Sequence, residues 1–290
     1  MNQGWRTVIV ETGTDLSLRN SMLVPDGDEE RGIPLYQVRK LMITSERATI
    51  SAGVLVRLAQ ENIDVILCDR KHMPAASLTG LNSHANVAGS LIEQAKWTEE
   101  NKEALWVTLS SAKILRQYDL LVRLGLVEEK LHPAREAGFD PAVWSRREGA
   151  VARFYFHRLF GDRFRRHASD DTNGALNYGY SILVSAVARA VVSHGYSTAL
   201  GLHHCSGDNA FNLAYDIVEP FRPFADEIVY AHRGQALNSA YREELIAVVR
   251  RKCRFHGGET TVGAAIDAFV LEVLKAAAAP DQQIRVAEFV

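Results

Sequence analysis

The sequence predicts an α+β fold in which a β-rich region precedes a larger, helical region. Up to Cys68 the chain contains short stretches of β-branched or alternating apolar residues, separated by turn residues such as those at 25–28. From about His84 onward, apolar residues recur instead at the spacing of one helix face. We therefore predict two domains, a β-rich domain at 1–82 and an α-helical domain at 83–290.

The first domain is predicted to contain several strands and one helix. Behind Ser51, a favourable N-cap, apolar residues recur at helical spacing, which predicts a helix over Ser51–Glu61. The predicted strands are Trp5–Glu11, Asp15–Val24, Val38–Thr44 and Ile63–Cys68.

The second domain is predicted to be helical throughout. Asp140 followed by Pro141 is typical of a helix start, because aspartate caps free N–H groups and proline suits the first helical position. Residues 280–290 are predicted to form a loosely held tail. The other predicted helices are Glu99–Leu124, Gly174–Ser193, Pro220–Tyr230, Ala240–Lys252 and Thr260–Ala279.

The composition is that of an ordinary globular protein. Of the 290 residues, 47% are hydrophobic, which is enough to build a sizeable core. No apolar run reaches the roughly 20 residues that a membrane span needs, and the N-terminus lacks a signal-peptide pattern. We therefore expect a cytoplasmic protein with no membrane partner. The formal net charge is only −2, so nucleic-acid binding would depend on local basic patches.

One predicted helix carries a polar stripe on an otherwise apolar surface. Asn209, Asn212, Asp216 and Glu219 follow the i, i+3, i+7, i+10 spacing of a single helix face. This helix is predicted to end at Pro220, which places both acids at the negative end of its dipole. Because buried carboxylates are costly without a counter-charge, the stripe predicts a cation at this position.

The residues alone leave the identity of that cation open. A divalent metal is one candidate, because His203 and His204 lie just upstream and Glu148 offers a further carboxylate. The alternative is a salt-bridge network, in which arginines, Arg222 first among them, pair with the acids. The carboxylates favour a hard, oxygen-preferring metal over zinc.

Glu148 is predicted to point toward other helices. The helix that carries it is predicted to begin at about Pro141, and Glu148 then shares a face with Ala152, Tyr155 and Leu159. A carboxylate on such a face is suited to closing a buried site and is unusual for a surface acid.

Glu148 lies within an arginine-rich stretch between residues 146 and 167. A solvated helix face is one interpretation of such a stretch. The other is a surface for a polyanion, because cations around a metal-binding carboxylate suit a phosphodiester backbone. The candidate phosphate contacts are Arg146, Arg147 and Arg153.

Several segments together resemble the CRISPR spacer-acquisition integrases, the Cas-one family, and in particular the branch that accompanies type II systems. The resemblance covers essentially the whole chain in the same order. The segments are Gly4-Trp5-Arg6-Thr7-Val8, Glu148-Gly149-x-x-Ala152-Arg153-x-Tyr155-Phe156, Asn177-Tyr178-Gly179-Tyr180, Gly201-Leu202-x-His204 and Asp216-Ile217-x-Glu219-Pro220-Phe221-Arg222-Pro223.

The resemblance implies a β-sandwich-like N-terminal domain, through which two chains form a homodimer, and an all-α catalytic domain. It implies that Glu148, His204 and Glu219 are the catalytic residues and bind Mg²⁺ or Mn²⁺, with Asp216 supporting them. His204 is chosen over His203 because it is the fourth residue of the Gly-Leu-x-His motif.

The implied reaction is transesterification, in which the 3′-hydroxyl of a captured DNA fragment attacks a phosphodiester at the edge of a CRISPR repeat. The implied partners are double-stranded DNA, a Cas-two dimer that bridges two integrase dimers into a heterohexamer, and the RNA-guided type II effector nuclease. Two other functions fit the residues: a stand-alone metal-dependent nuclease of branched DNA, and a non-catalytic DNA-binding scaffold.

Overall fold

The computed structural model describes residues 6–70, 74–78, 80–81, 87–135, 139–279 and 284–290. The chain forms two compact units. The first comprises the residues up to Ser90 with Val192–Tyr196, and the second comprises Leu91–Val191 with Ser197–Val290. The predicted domain boundary between 82 and 83 lies outside the described residues, as do Gly4 and Trp5 of the first motif.

The first unit is built on two four-stranded sheets. One has the order β1-β5-β7-β8, with β1, β5 and β7 parallel and β8 antiparallel, and the other has the order β4-β3-β2-β6. The elements are β1 (Arg6–Val10), β2 (Asp15–Arg19), β3 (Met22–Pro25), β4 (Ile33–Pro34), β5 (Val38–Ile43), β6 (Thr49–Ile50), α1 (Ala52–Gln60), β7 (Asp64–Cys68) and β8 (Pro74–Leu78).

Residues from both sheets and from α1 share one apolar core. Val10 and Leu41 come from the first sheet, Leu16 and Leu23 from the second, and Leu58 from the helix; all are buried. Alternate residues of each strand face this core because side chains alternate along a strand. The β-rich, two-sheet prediction for this region is confirmed.

One predicted strand of the first unit is instead a hairpin. The sequence predicted a single strand over Asp15–Val24, but Asn20 and Ser21 have positive φ angles of 49° and 58° and reverse the chain between β2 and β3. Two consecutive positive φ values are typical of the tight turn that joins antiparallel strands. The predicted helix start is confirmed, because Ser51 Oγ accepts a hydrogen bond from the Val54 amide.

The second unit is mainly helical. Its longest helix, Glu99–Arg123, packs against the helices Pro141–Arg146 and Glu148–Phe160 and against the 3-10 turn Glu219–Phe221. The helices are α2 (Val87–Gln94, which crosses the unit boundary), α3 (Glu99–Arg123), α4 (Pro141–Arg146), α5 (Glu148–Phe160), α6 (Asp171–Ser193), α7 (Asn212–Ile217), α8 (Arg222–Ala231), α9 (Ser239–Ile246) and α10 (Val262–Ala278).

Helix α6 is the buried axis of this unit. It is the one helix within the described parts of the chain that is long and apolar enough to cross a membrane. Of its most apolar window, 78% is buried inside the protein, which is the burial of a core helix. Its inward-facing side chains include Tyr178, Ile182 and Leu183, none of which is exposed to solvent.

A small antiparallel sheet adds β structure to the region predicted to be all-α. Strands β9 (Lys252–Phe255), β10 (Gly258–Thr261) and β11 (Glu288–Phe289) have the order β10-β9-β11. The helix predicted over Ala240–Lys252 therefore ends early, and His256 and Gly257, with positive φ, turn the chain into a hairpin. The predicted loose tail is wrong for its described part, 284–290, because β11 pairs with β9; residues 280–283 lie outside the described residues.

Candidate active site

Glu148 is the first residue of helix α5. The sequence predicted one helix running from about Pro141 through Glu148, and this prediction is wrong: α4 ends at Arg146, and Arg147 leaves helical geometry with φ −94° and ψ 4°. The predicted cap is confirmed, because the Asp140 carboxylate accepts a hydrogen bond from the Ala142 amide. Because Glu148 is the first residue of α5, it lies at the positive end of that helix's dipole.

Lys113 of helix α3 joins the two glutamates of the predicted site. Its Nζ atom lies 2.6 Å from Glu148 Oε1 and 2.6 Å from Glu219 Oε2. The two carboxylate oxygens can therefore be no farther apart than twice that distance. Burial lowers the pKa of Lys113, but attraction to Glu219 and Glu148 outweighs burial and raises it, so this lysine is charged.

Arg222 provides the second cation at Glu219. Its Nε and Nη2 atoms lie 2.9 Å and 2.8 Å from Glu219 Oε1, which leaves Oε2 facing Lys113. The Glu219 side chain is only 5% exposed, and burial by itself raises its pKa. Attraction to Arg222 and Lys113 more than compensates and lowers the pKa of Glu219 to about 2. The predicted pairing of Arg222 with the acidic stripe is thus confirmed for Glu219.

The polar stripe is not continuous on one helix. Asn209 lies in a turn before α7, where its side chain accepts a hydrogen bond from the Phe211 amide. Helix α7 ends at Ile217, and Glu219 opens a 3-10 turn that leads into α8. The helix end predicted at Pro220 is therefore wrong. The reason is that proline is tolerated in a first turn, so Pro220 and Pro223 allow the chain to continue into new helical turns.

Asp216 organises the loop that carries the histidines. Its Oδ2 atom accepts hydrogen bonds from the amides of Leu202 and His203 at 2.6 and 3.1 Å, and its Oδ1 atom accepts one from the amide of His204 at 3.1 Å. Asp216 is fully buried. Gly201 allows this close approach, because a Cβ there would lie 2.3 Å from the His204 carbonyl oxygen and 2.8 Å from Asp216 Oδ2.

The two histidines have different surroundings. His204 Nδ1 lies 2.6 Å from Asp216 Oδ1, and this hydrogen bond is the largest cause of its raised pKa. The His203 ring instead stacks on Trp106 of α3, with the ring centroids 4.1 Å apart and the planes at 3°. Because Asp216 occupies Nδ1, the nitrogen of His204 left for another ligand is Nε2.

The donor set fits a divalent cation in part. Among the described residues, no three His, Cys, Asp or Glu side chains form a group that could hold a metal ion as they stand. However, Glu148 and Glu219 already converge on a single cation, and the buried Glu219 Oε2 atom has an ion pair but no hydrogen bond. The carboxylate on His204 is also the usual companion of a metal-binding imidazole, because it fixes the tautomer and the ring. The two glutamates offer the oxygen ligands that Mg²⁺ and Mn²⁺ prefer, and the Lys113 ammonium group lies between them.

A basic cavity of about 600 Å³ lies against helix α5, with Gly149, the residue after Glu148, in its lining. Cations and aromatic rings line it without any carboxylate. Of the three candidate phosphate contacts, Arg153 lines this cavity; Arg146 and Arg147 are exposed outside its lining, and Arg147 lies over the Trp144 ring. The lining residues are Gly149, Ala152, Arg153, Phe156, His157, Phe164, Arg165, Arg166 and His167.

Sequence reasoning missed Lys113, although a signal was present. On α3, residues 106, 110, 113 and 117 share one face, and three of them are polar although Leu109, Ala112 and Ile114 beside them are apolar. In the structure Ser110 and Gln117 are buried. A lysine between two buried polar residues indicates a partner of opposite charge on the helices packed against it.

Sequence reasoning also missed a buried acidic residue, Asp226. Asp226 of α8 is buried, and its carboxylate accepts hydrogen bonds from Tyr155 Oη at 2.8 Å and Tyr180 Oη at 2.5 Å. Burial raises the pKa of Asp226 to about 6, against the opposing effect of the two hydroxyls. This cluster ties α5, α6 and α8 together behind the predicted site.

The family model described as CRISPR associated protein Cas1 matches residues 7–140 and 144–248. Among curated relatives, the chain is 33% identical over 226 residues to a CRISPR-associated endonuclease Cas1 of Neisseria meningitidis, covering 77% of this chain and 74% of the relative. It is 25% identical over 283 residues to a CRISPR-associated endonuclease Cas1 of Francisella tularensis subsp. novicida, covering 86% and 88% of the two chains.

Solved structures share the fold. A casposase bound to integration product aligns with a TM-score of 0.75 at 18% identity, covering 97% of this chain and 92% of that one. A Cas1 chain in a complex of TtCas1 with DNA aligns with a TM-score of 0.62 at 19% identity, covering 96% and 94%. A Cas6-RT-Cas1–Cas2 complex aligns with a TM-score of 0.69 at 18% identity, covering 97% of this chain and 36% of that chain.

A β-rich unit followed by a helical unit is thus the fold that this chain shares with the casposase and Cas1 structures. The chain belongs to the Cas1 family, the Cas-one family that its motifs resembled. The relatives support a role in cutting or integrating DNA.

Proposed function

We propose that this protein is a metal-dependent DNA integrase of CRISPR adaptation, belonging to the type II branch. The observation that carries the proposal is the convergence of Glu148 and Glu219 on one cation. The 33% identity to the Neisseria meningitidis protein supports the branch. Glu148 and Glu219 would hold Mg²⁺ or Mn²⁺, with His204 Nε2 as the third ligand.

The reaction proposed is a transesterification. The 3′-hydroxyl of a captured DNA fragment forms a new P–O bond to a phosphodiester at the edge of the repeat, the bond from that phosphorus to its bridging 3′-oxygen breaks, and the proton of the attacking hydroxyl is passed to that leaving oxygen. When bound, the divalent ion supplies Lewis-acid polarisation of the phosphoryl oxygen and lowers the pKa of the attacking hydroxyl.

The protein residues would prepare this site before DNA arrives. Asp216 holds the Nδ1 atom of His204 and so fixes the ring orientation, which is a supporting role rather than direct ligation. Arg222 holds Glu219 in place. The basic cavity against helix α5 would receive the backbone of the incoming strand, with Arg153 as its phosphate contact. Arg146 and Arg147 are proposed to contact DNA farther from the centre.

The proposed partners follow the relatives and the family resemblance. A Cas1 relative is named in complex with DNA, and another in a complex that contains Cas2. We propose double-stranded DNA as the substrate, a homodimer formed through the N-terminal unit, and a heterohexamer with a Cas2 (Cas-two) dimer. The RNA-guided type II effector nuclease is proposed as a further partner during fragment selection, and the cytoplasm as the location.

A joining assay tests the reaction. The purified protein with its Cas2 partner is given a duplex with 3′-hydroxyl ends, a repeat-bearing plasmid and Mn²⁺. We expect joined strands from the natural protein and from Glu227→Gln, and a loss of about 10³-fold in Glu148→Gln. Glu227 is a matched control, because it is also a partly buried glutamate in an ion pair, although its partners are Arg123 and Arg251 instead of Lys113.

The same assay separates the alternatives. Nicked plasmid without joined strands would overturn the integrase in favour of a stand-alone nuclease, as the endonuclease names of the relatives suggest. Lys113 and Arg222 already neutralise the glutamates, which is what a DNA-binding scaffold requires. Joining that survives in a folded Glu148→Gln variant would therefore favour the scaffold.

A further inference from the structure

The amino group of Lys113 occupies the space that the proposed metal needs. Its Nζ atom is 2.6 Å from one oxygen of Glu148 and one of Glu219, and its side chain is only 12% exposed. A Mg²⁺ ion binds carboxylate oxygens at about 2.0–2.1 Å, so an ion shared by these two oxygens would lie where Nζ lies. The ammonium group and the ion therefore exclude each other.

The charges at this site already balance. Two carboxylates, Glu148 and Glu219, face two cations, Lys113 and Arg222. A divalent ion added beside these two glutamates would bring two positive charges to carboxylates that two protein cations already neutralise. The site becomes more receptive when an anion takes one of the protein cations away.

The phosphodiester backbone of the substrate is such an anion. Lysine has a flexible four-carbon stem, so its ammonium group is able to move without any change in the helix that carries it. Arg222 is less free to move, because it makes two contacts with Glu219 and lies over the Tyr180 ring at 4.6 Å. Lys113 is therefore the cation that gives way.

We propose that Lys113 is a built-in counter-ion that keeps the divalent ion out until DNA binds and draws the lysine onto a phosphate. The consequence is positive coupling: DNA strengthens metal binding, and metal strengthens DNA binding by the same factor. This inference rests on the proposed function, because it takes Glu148 and Glu219 as the metal ligands.

Titration with Mn²⁺, followed by the electron paramagnetic resonance signal of the free ion, tests the competition in DNA-free protein. We expect Lys113→Met to bind Mn²⁺ about tenfold more tightly than the natural protein. Lys102→Met is the matched control, because Lys102 lies on the same helix but outside the site. Its Nζ atom is 2.8 Å from Glu99 Oε1. Equal or weaker Mn²⁺ binding in folded Lys113→Met, relative to Lys102→Met, would overturn the proposal.

A second measurement uses the natural protein alone and does not depend on the folding of a variant. Mn²⁺ is titrated with and without a duplex whose 3′ ends lack hydroxyl groups, so that no joining occurs. We expect the duplex to tighten Mn²⁺ binding about tenfold. Identical Mn²⁺ affinity with and without the duplex would overturn the proposal.

Glu219→Gln distinguishes this proposal from the function on which it rests. If Mn²⁺ binding is lost in Glu219→Gln but is insensitive to Lys113 and to DNA, only the counter-ion role is wrong. If Mn²⁺ binding is the same in Glu219→Gln as in the natural protein, the metal site is wrong and the counter-ion role falls with it.

Discussion

Two buried carboxylates of the helical unit, Glu219 and Asp226, are stabilised in opposite ways. Glu219 is held by the cations Lys113 and Arg222, and its pKa is lowered to about 2. Asp226 is held by the hydroxyl groups of two tyrosines, and its pKa is raised to about 6. The difference shows that burial alone does not decide the charge of an acid; the partners do.

The comparison also distinguishes Glu219, which belongs to the candidate active site, from Asp226, which has a structural role. A carboxylate neutralised by a mobile cation is able to exchange that cation for another. A carboxylate bound only by hydroxyl donors has no cation to exchange, and Asp226 instead connects three helices through Tyr155 and Tyr180. Arg222 links the two acids, because it bonds Glu219 and lies over Tyr180.

The largest expected effect is on strand joining. Removing the charge of Glu219 with Glu219→Gln should lower the rate of joining by about 10³-fold, because a proposed metal ligand is lost. Asp226→Asn, which removes the charge of the other buried acid, should change the rate by less than about threefold, since Asp226 supports the site only through its neighbours. The joining assay with Cas2 and Mn²⁺ measures both rates, and similar losses in the two variants would erase the distinction between them.

The next largest expected effect is on the stability of the metal-free protein when Lys113 is replaced. Lys113→Met leaves Glu148 without its partner and Glu219 with Arg222 alone, so we expect the free energy of unfolding to fall by about 3 kcal/mol. Urea denaturation in chelator measures it, with Lys102→Met as the control. Adding Mn²⁺ should recover more stability in Lys113→Met than in the natural protein; an undiminished stability in chelator would show that the lysine does not neutralise the pair.

The two acids should give opposite dependences of stability on pH. The pKa of Glu219 is lowered, so its contribution is present above about pH 4.5 and is lost as the pH falls toward 2. The pKa of Asp226 is raised, so its contribution is present below about pH 4 and is lost as the pH rises through 6. Each change is on the order of 3 kcal/mol.

Urea denaturation between pH 3 and 8 checks these signs, with each variant compared to the natural protein at the same pH. The stability of the natural protein relative to Glu219→Gln should rise between about pH 3 and 5. Its stability relative to Asp226→Asn should fall between about pH 4 and 7. Two differences of the same sign would refute the contrast between cation and hydroxyl partners.

The smallest effect concerns the tyrosines themselves. Tyr180→Phe and Tyr155→Phe each remove one hydroxyl from Asp226 while keeping the ring, and we expect losses of about 1–2 kcal/mol in the free energy of unfolding. Thermal and urea denaturation measure them. If neither variant is less stable than the natural protein, the hydroxyl bonds do not hold Asp226.

The order of strands and helices could be predicted because it follows from local pattern. The alternation before Cys68 and the helical spacing of Glu99–Leu124 were sufficient, and α3 ends one residue from its predicted end. The breaks were not visible, because the hairpin at Asn20 depends on backbone angles that asparagine and serine adopt only in context. The break between α4 and α5 at Arg147 could not be predicted either, because no proline or capping side chain marks it in the sequence.

The sequence predicted the acids of the candidate site and one of its cations, Arg222, but not Lys113. Periodicity correctly marked Asp216 and Glu219 as residues in need of a partner, but it placed them in one role on one helix. In the structure Asp216 binds the amides of the histidine loop, and Glu219 binds Lys113 from a helix a hundred positions earlier. A pairing of this kind depends on how helices pack, which helical spacing within one segment does not encode.

The most direct test is an anomalous diffraction map of the protein crystallised with Mn²⁺ and a DNA duplex lacking 3′-hydroxyl groups. The account predicts a manganese peak bounded by Glu148, Glu219 and His204 Nε2, with the Lys113 ammonium group moved onto a phosphate. A map with no peak at these residues, and Lys113 still between the two glutamates, would contradict it.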